Sequence, residues 1–149
     1  MFKNFNENIT KFNALQKEIV TKKAVLVASG PSLNQTVVWL KKHEHEFDIY
    51  CVGSALKILL NHNIQPTAIF MTDAQDAMLK QLDERYTGIL YFLCTANHQA
   101  VSKHSGAKQI LFQKGFLPAE EFAMQNGQPL FETGGSVATT TFSYIDWLG

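Results

Sequence analysis

The sequence has little charge. Only 17% of its 149 residues are charged, and its 13 basic residues equal its 13 acidic residues in number. A nucleic-acid-binding surface is usually marked by a basic excess, so this balance disfavours a nucleic-acid partner. With 46% hydrophobic residues, the composition also excludes a disordered chain. The length is that of one domain, which folds without a disulfide or metal.

Cysteines and long apolar runs are also scarce. The two cysteines, Cys51 and Cys94, lie within apolar runs, which favours free buried thiols over a disulfide. No apolar run approaches the roughly 18 residues that span a bilayer. The first ten residues, MFKNFNENIT, lack the apolar core of a secretory signal. We therefore expect a cytoplasmic protein without a membrane span.

Three common catalytic or nucleotide-binding motifs are missing. There is no G-x-x-x-x-G-K-[ST] loop, and no lysine follows Gly30 until Lys41, which excludes a P-loop kinase. The first glycine turn lacks G-x-G-x-x-G, which disfavours an ordinary NAD site. Gly134-Gly135-Ser136 is similar to a nucleophile elbow, but no histidine follows it, so a hydrolase triad in that chain order is incomplete.

What is present is an alternation of short apolar runs and helical patterns. Spaced apolar residues predict an N-terminal helix over about 6–20, within a segment 1–21 that precedes a domain at 22–149. Strands are predicted at 24–29, 47–53, 67–72, 88–94 and 109–113, and a last helix at about 135–148. Nearly continuous apolar strands are typical of sheets buried on both faces. We therefore predict an α/β fold with a mostly parallel sheet of about five strands and helices on both faces, with Trp39 and Trp147 packed inside.

Two glycine-serine turns open predicted helices. In a parallel sheet, ligands bind at the carboxyl ends of the strands, near a switch point in strand order. Gly30, Pro31 and Ser32 follow the first strand, and the N–H groups of such a helix start favour an anion. Ser32 and Gln35 fit a capping box, so a capped turn without a ligand is the alternative. Gly134-Gly135-Ser136 forms the second such turn, for which a simple helix cap is again the alternative.

Polar residues also follow the third and fourth predicted strands. Asp73 ends the third strand, where its carboxylate is suited to hold Mg²⁺, to bind a ribose hydroxyl or to act as a base. A helix N-cap is the alternative for Asp73, and Asp76 falls in the first turn of the same predicted helix. His98 follows the fourth strand and is a candidate general base, with a surface histidine as the alternative.

Three segments together resemble a known family. VLVASGPSL is followed by DIYCVGSALKILLNHNIQPTAIFMTD and then by FETGGSVATTTFSYIDWLG. In this order they are similar to the motility accessory factor glycosyltransferases and to the archaeal 6-hydroxymethylpterin pyrophosphokinase-like proteins. That domain in turn resembles bacterial sialyltransferases that use CMP-activated nonulosonic acids. The resemblance spans about residues 22–149.

The resemblance implies a Rossmann-like, three-layer domain that binds a nucleotide at the sheet edge. The matching positions are Gly30, Pro31, Ser32, Gly53, Ser54, Asp73, Gly134, Gly135 and Ser136. Family members commonly continue after the last helix, so the resemblance implies a domain without the family's C-terminal strand.

Three functions follow from the resemblance as expectations. The first is a glycosyltransferase with a CMP-nonulosonate donor and no required cofactor, which uses Asp73 or His98 on an acceptor hydroxyl of a protein or glycan. The second is a Mg²⁺-dependent pyrophosphokinase that uses ATP, with Asp73 as a metal ligand. The third is a nucleotide-binding module without activity of its own.

Overall fold

The computed structural model describes residues 2–15, 22–28, 30–74, 82–133 and 137–148. Within them, the helices are α1 (Phe2–Ile9), α2 (Leu33–Lys42), α3 (Leu56–Asn61), α4 (His98–Lys103), α5 (Leu117–Gln125) and α6 (Val137–Leu148). The strands are β1 (Lys23–Val27), β2 (Phe47–Val52), β3 (Ala68–Met71), β4 (Ile89–Leu93), β5 (Lys108–Gln113) and β6 (Leu130–Phe131). Asp76 and the turn 134–136 lie outside the described residues.

The strands form one parallel sheet in the order β1-β2-β3-β4-β5-β6. This confirms the predicted α/β fold with a mostly parallel sheet. The short strand β6 was not predicted, because two residues are too few to show a pattern. The expected switch point is absent from these six strands, since every crossover advances in the same direction. The carboxyl ends of all six strands therefore follow one another along one edge in chain order.

The two faces of the sheet are covered by different helices. Apolar side chains of α1 to α5 join one core cluster, which includes Phe5, Val37, Leu59, Val101 and Ala123. The opposite face packs against α6, with Tyr144 at the centre of an aromatic cluster. Right-handed crossovers that all advance in the same direction along a parallel sheet place their helices on the same face. Among the described helices, only α6 packs on the other face. The prediction of helices on both faces is confirmed.

The N-terminal helix is shorter than predicted. It ends at Ile9 instead of about residue 20, and the chain continues without regular structure to residue 15. Phe12 packs in the cluster beneath α5, whereas Leu15 packs on the α6 face. The regular spacing of these apolar residues therefore arises from contacts with two different faces of the sheet. One straight helix cannot reach both, which explains the wrong boundary.

Helix α2 buries a narrow stripe of apolar side chains. Leu33, Val37 and Leu40 point into the core, but Val38 is 55% and Trp39 48% exposed. The buried residues follow the spacing of one helix face, and the two exposed residues lie off that face. The prediction that Trp39 packs inside was therefore wrong, whereas Trp147 does pack in the α6 cluster.

Candidate active site

The candidate site lies along the carboxyl edge of the sheet. Residues 30–32 follow β1, residues 53–54 follow β2, Asp73 follows β3, and His98 begins α4 after β4. Neighbouring strands are paired close to this edge, with Val27 opposite Cys51 and Met71 opposite Phe92. The parallel sheet therefore brings residues that are up to 68 positions apart to one side of the molecule.

The turn after β1 leaves room beside its glycine. Among the described residues, a Cβ atom added to Gly30 would meet no other atom within 4 Å, and the residue does not have a positive φ. The carbonyl oxygen of Gly30 accepts the first amide of α2, from Leu33, at 3.1 Å. Neither its backbone conformation nor packing against the part of the chain that the structure describes requires a glycine here. The free space is open to solvent, since Gly30, Pro31 and Ser32 are all exposed.

The predicted capping box at Ser32 is wrong. Ser32 has helical backbone angles, φ −78° and ψ −14°, and its side chain makes no capping hydrogen bond. A capping residue normally has extended angles, which let its oxygen fold back onto the first turn. The Ser32 side chain therefore does not cap α2, although its carbonyl oxygen accepts the amides of Gln35 and Thr36, each at 3.1 Å. The positive end of the helix dipole at this position still favours an anion.

The second turn begins with a short 3₁₀ helix. Gly53 is buried at its start, directly after β2, and Ser54 is exposed beside it. Gly53 accepts the amide of Leu56 and so leads the chain into α3. Ser54 is therefore the member of this pair that is accessible from the edge.

Asn97 joins the chain segment of Asp73 to the chain segment of His98. The backbone amide of Asn97 donates to the carbonyl oxygen of Asp73 at 2.9 Å. The Asn97 side chain donates to the carbonyl oxygen of Ala74 at 3.2 Å and accepts the amide of Ala100 at 2.9 Å, as the N-cap of α4. Asp73 is exposed and His98 is half-buried. Asp73 is thus bonded through its carbonyl oxygen to Asn97, the residue directly before His98.

Sequence reasoning missed Asn97. The signal that was present is local: an asparagine directly before a helical stretch is a common N-cap. Its bonds to residues 73 and 74 join segments more than 20 positions apart, and no periodic pattern records them.

A lysine also lies at this edge of the sheet. Lys114 follows β5 and pairs with Glu132 after β6 at 2.8 Å. Lys108 is the first residue of β5, and Lys103 is the last residue of α4. Both lie toward the amino ends of the strands, on the opposite side from the candidate site.

The cysteines are not candidates for the chemistry. Cys51 and Cys94 are free and fully buried, as predicted. Burial raises the pKa of each thiol to about 12. Both are therefore protonated at neutral pH, and a protonated thiol is a poor nucleophile.

Comparison with known proteins places this chain in a family. The model of the family described as "6-hydroxymethylpterin diphosphokinase MptE-like" matches residues 1–149. The chain belongs to the MptE-like family. No curated protein shows significant similarity to it.

A solved structure has the same fold as this MptE-like chain. It is the Maf glycosyltransferase from Magnetospirillum magneticum AMB-1, with a TM-score of 0.73 at 15% sequence identity. The superposition covers 94% of this chain and 24% of that chain. The likeness shows a shared fold, and the MptE-like chain spans about a quarter of the length of that protein. Of the helices in the described residues, none has the length and apolarity to cross a membrane.

Proposed function

We propose that this MptE-like chain is the nucleotide-binding domain of a transferase. The observation that carries the proposal is the open space at Gly30, beside the start of α2. A glycine that the chain itself does not require is suited to let a ligand approach the backbone closely. The positive end of the α2 dipole favours a phosphate group at that position.

Each segment of the edge has a role in this proposal. Gly30, Pro31 and Ser32 contact a phosphate of the nucleotide. The buried Gly53 leads the chain to Ser54, which extends the same binding surface. The turn 134–136, which precedes α6, supplies a second set of amides for the nucleotide. The phosphate charge is thereby neutralised mainly by backbone amides, which agrees with the net charge of zero.

The first candidate reaction is glycosyl transfer from a CMP-linked nonulosonate. It is supported by the fold shared with the Maf glycosyltransferase. The bond between the sugar and the CMP phosphate breaks, and the acceptor oxygen forms the new bond to the sugar. His98 or Asp73 takes the proton of the acceptor hydroxyl, on a protein or a glycan. The amides at the edge stabilise the departing phosphate, and no metal is required.

The second candidate is diphosphate transfer from ATP to a hydroxymethyl group, and the family match favours it. Mg²⁺ in such reactions is commonly held by one or two carboxylates and the substrate phosphates. The exposed carboxylate of Asp73 at the strand end fits one such ligand, and Asp76 is a second candidate. Bound Mg²⁺ would neutralise charge on the phosphates, while Ser32 and the α2 amides orient them. A domain that binds a nucleotide without reacting it is the remaining alternative.

Calorimetric titration of the chain with nucleotides tests these candidates. CMP, CDP and ATP are titrated with and without Mg²⁺, and cytidine serves as the control that lacks phosphate. We expect CMP to bind without metal and cytidine to bind far more weakly, because the phosphate makes the contacts with the amides. Binding of ATP that depends on Mg²⁺ would favour diphosphate transfer instead. If no nucleotide binds, the proposed function is wrong.

A further inference from the structure

The turn between β4 and α4 is tied to the N-terminal helix. Asn8 of α1 is fully buried, and its Nδ2 donates to the carbonyl oxygens of Cys94 at 3.0 Å and Ala96 at 2.8 Å. One helical turn earlier, Asn4 accepts the backbone amide of His98 at 3.2 Å. Residues four positions apart share one helix face, so α1 presents both asparagines to the same turn.

The same turn is also tied to the neighbouring strand β5. The side chain of Gln113 accepts the Thr95 hydroxyl at 3.3 Å, and the backbone amide of Cys94 donates to Leu111 at 2.9 Å. Residues 94–97 are all buried. Contacts from α1 and β5 therefore hold this buried turn in place from two sides at the edge of the sheet.

Asn97 extends this fixed position to the segment after β3. Its backbone and side-chain amides hold the carbonyl oxygens of Asp73 and Ala74, at 2.9 and 3.2 Å. We infer that Asn97 is a positioning residue, which sets the place of Asp73 relative to His98 at the nucleotide edge. This inference depends on the proposed function, because it assigns Asp73 and His98 to a nucleotide site.

Two atoms of the Asn97 side chain make different hydrogen bonds. Oδ1 caps α4 by accepting the amide of Ala100, and Nδ2 holds the segment that carries Asp73. Asn97→Asp retains the capping oxygen but places a second carboxylate oxygen against the carbonyl of Ala74. Carboxylate and carbonyl oxygens repel each other, so this variant removes the side-chain bond to Ala74, while the backbone bond to Asp73 remains and α4 stays capped.

Asn97→Asp is therefore compared with Asn126→Asp. Asn126 also donates its Nδ2 to a carbonyl oxygen, that of Phe122 at 2.8 Å, but it lies at the end of α5, away from the candidate site. Asn97→Ser is a second variant, since serine keeps a capping oxygen without adding charge. Each protein is titrated with CMP and with ATP plus Mg²⁺, and its melting temperature is measured.

The measurement uses the nucleotide that the unmodified chain binds. We expect Asn97→Asp and Asn97→Ser each to raise its dissociation constant by about tenfold, or about 1.4 kcal/mol. Their melting temperatures should stay close to that of Asn126→Asp, whose affinity should be unchanged. If the unmodified chain binds and both Asn97 variants bind equally well, the positioning role is wrong and the nucleotide site stands. A loss of affinity explained by unfolding also overturns the positioning role. If Asn97→Asp does not fold, Asn97→Ser decides.

Discussion

Two glycines at opposite edges of the sheet have contrasting surroundings. Gly106 precedes β5, and a Cβ atom there would lie 2.3 Å from the carbonyl oxygen of Thr87 and 2.5 Å from that of Gly88. Gly30 follows β1, and a Cβ atom there would meet none of the described residues within 4 Å. Packing among the described segments therefore requires a glycine at position 106 and does not require one at position 30. The difference separates a glycine that serves the fold from one whose free space is available to a ligand.

The largest expected effect on stability is that of Gly106→Ala. The added methyl group would overlap two backbone carbonyl oxygens, which cannot move aside as a flexible side chain would. Overpacking of this kind costs about 2–3 kcal/mol. Urea denaturation of the two proteins measures the change in the free energy of unfolding. A change below about 0.5 kcal/mol, the range of ordinary surface substitutions, would contradict the close approach of these chain segments.

The histidine beside Gly106 should make stability depend on pH. His104 is buried, with Nε2 at 2.7 Å from the carbonyl oxygen of Gly88 and its ring stacked on Tyr86. Burial lowers the pKa of His104, the bond to Gly88 partly opposes this, and the nearby Lys108 lowers the pKa further. The unfolded chain therefore binds a proton more readily than the folded chain. Stability should fall as the pH falls below about 6.5, until the folded histidine is also protonated.

His104→Gln isolates this contribution, because glutamine can donate to Gly88 but does not titrate. Urea denaturation at pH 7.5 and pH 5.5 gives the loss of unfolding free energy for each protein. We expect a larger loss in the unmodified chain, by up to about 1.4 kcal/mol, because pH 5.5 lies about one unit below the ordinary histidine pKa. Equal losses in the two proteins would show that His104 is not responsible.

The smallest expected effect on stability is that of Gly30→Ala. Because the site has space and no positive φ, the substitution should leave the unfolding free energy unchanged or raise it by up to about 1 kcal/mol. Nucleotide affinity should nevertheless fall, and fall further in Gly30→Val, because each added methyl group occupies the space assigned to the ligand. Melting curves and calorimetric titration measure the two properties separately. Unchanged affinity in Gly30→Val would remove the main support for a nucleotide at this turn.

The strands of the sheet were predicted more accurately from the sequence than the helices and loops that cover it. Strands such as β3, in which every residue is buried, are recognisable because both faces demand apolar side chains. Trp39 was placed wrongly because a large apolar residue is normally buried, whereas its position on α2 is off the buried stripe. Phe12 and Leu15 gave a helical spacing without a helix, because they reach two faces of the sheet.

The sequence predicted where the candidate site residues lie, but it did not predict the hydrogen bonds that join their segments. The order of strands and turns was sufficient to place Gly30, Ser54, Asp73 and His98 at one edge, although their roles stay predictions. The cap at Ser32 depended on backbone angles that residue type alone does not fix. The links made by Asn97 are tertiary contacts, and a single sequence carries no record of such pairs.

The hydrogen bonds of Asn8 also have a consequence for folding. They join residues 86 and 88 positions apart, which makes them among the most non-local contacts described for the chain. Closing so long a loop costs entropy that is recovered only once β4 and its turn have formed. Docking of α1 should therefore be a late step in folding, and the turn before His98 acquires its last support in that step.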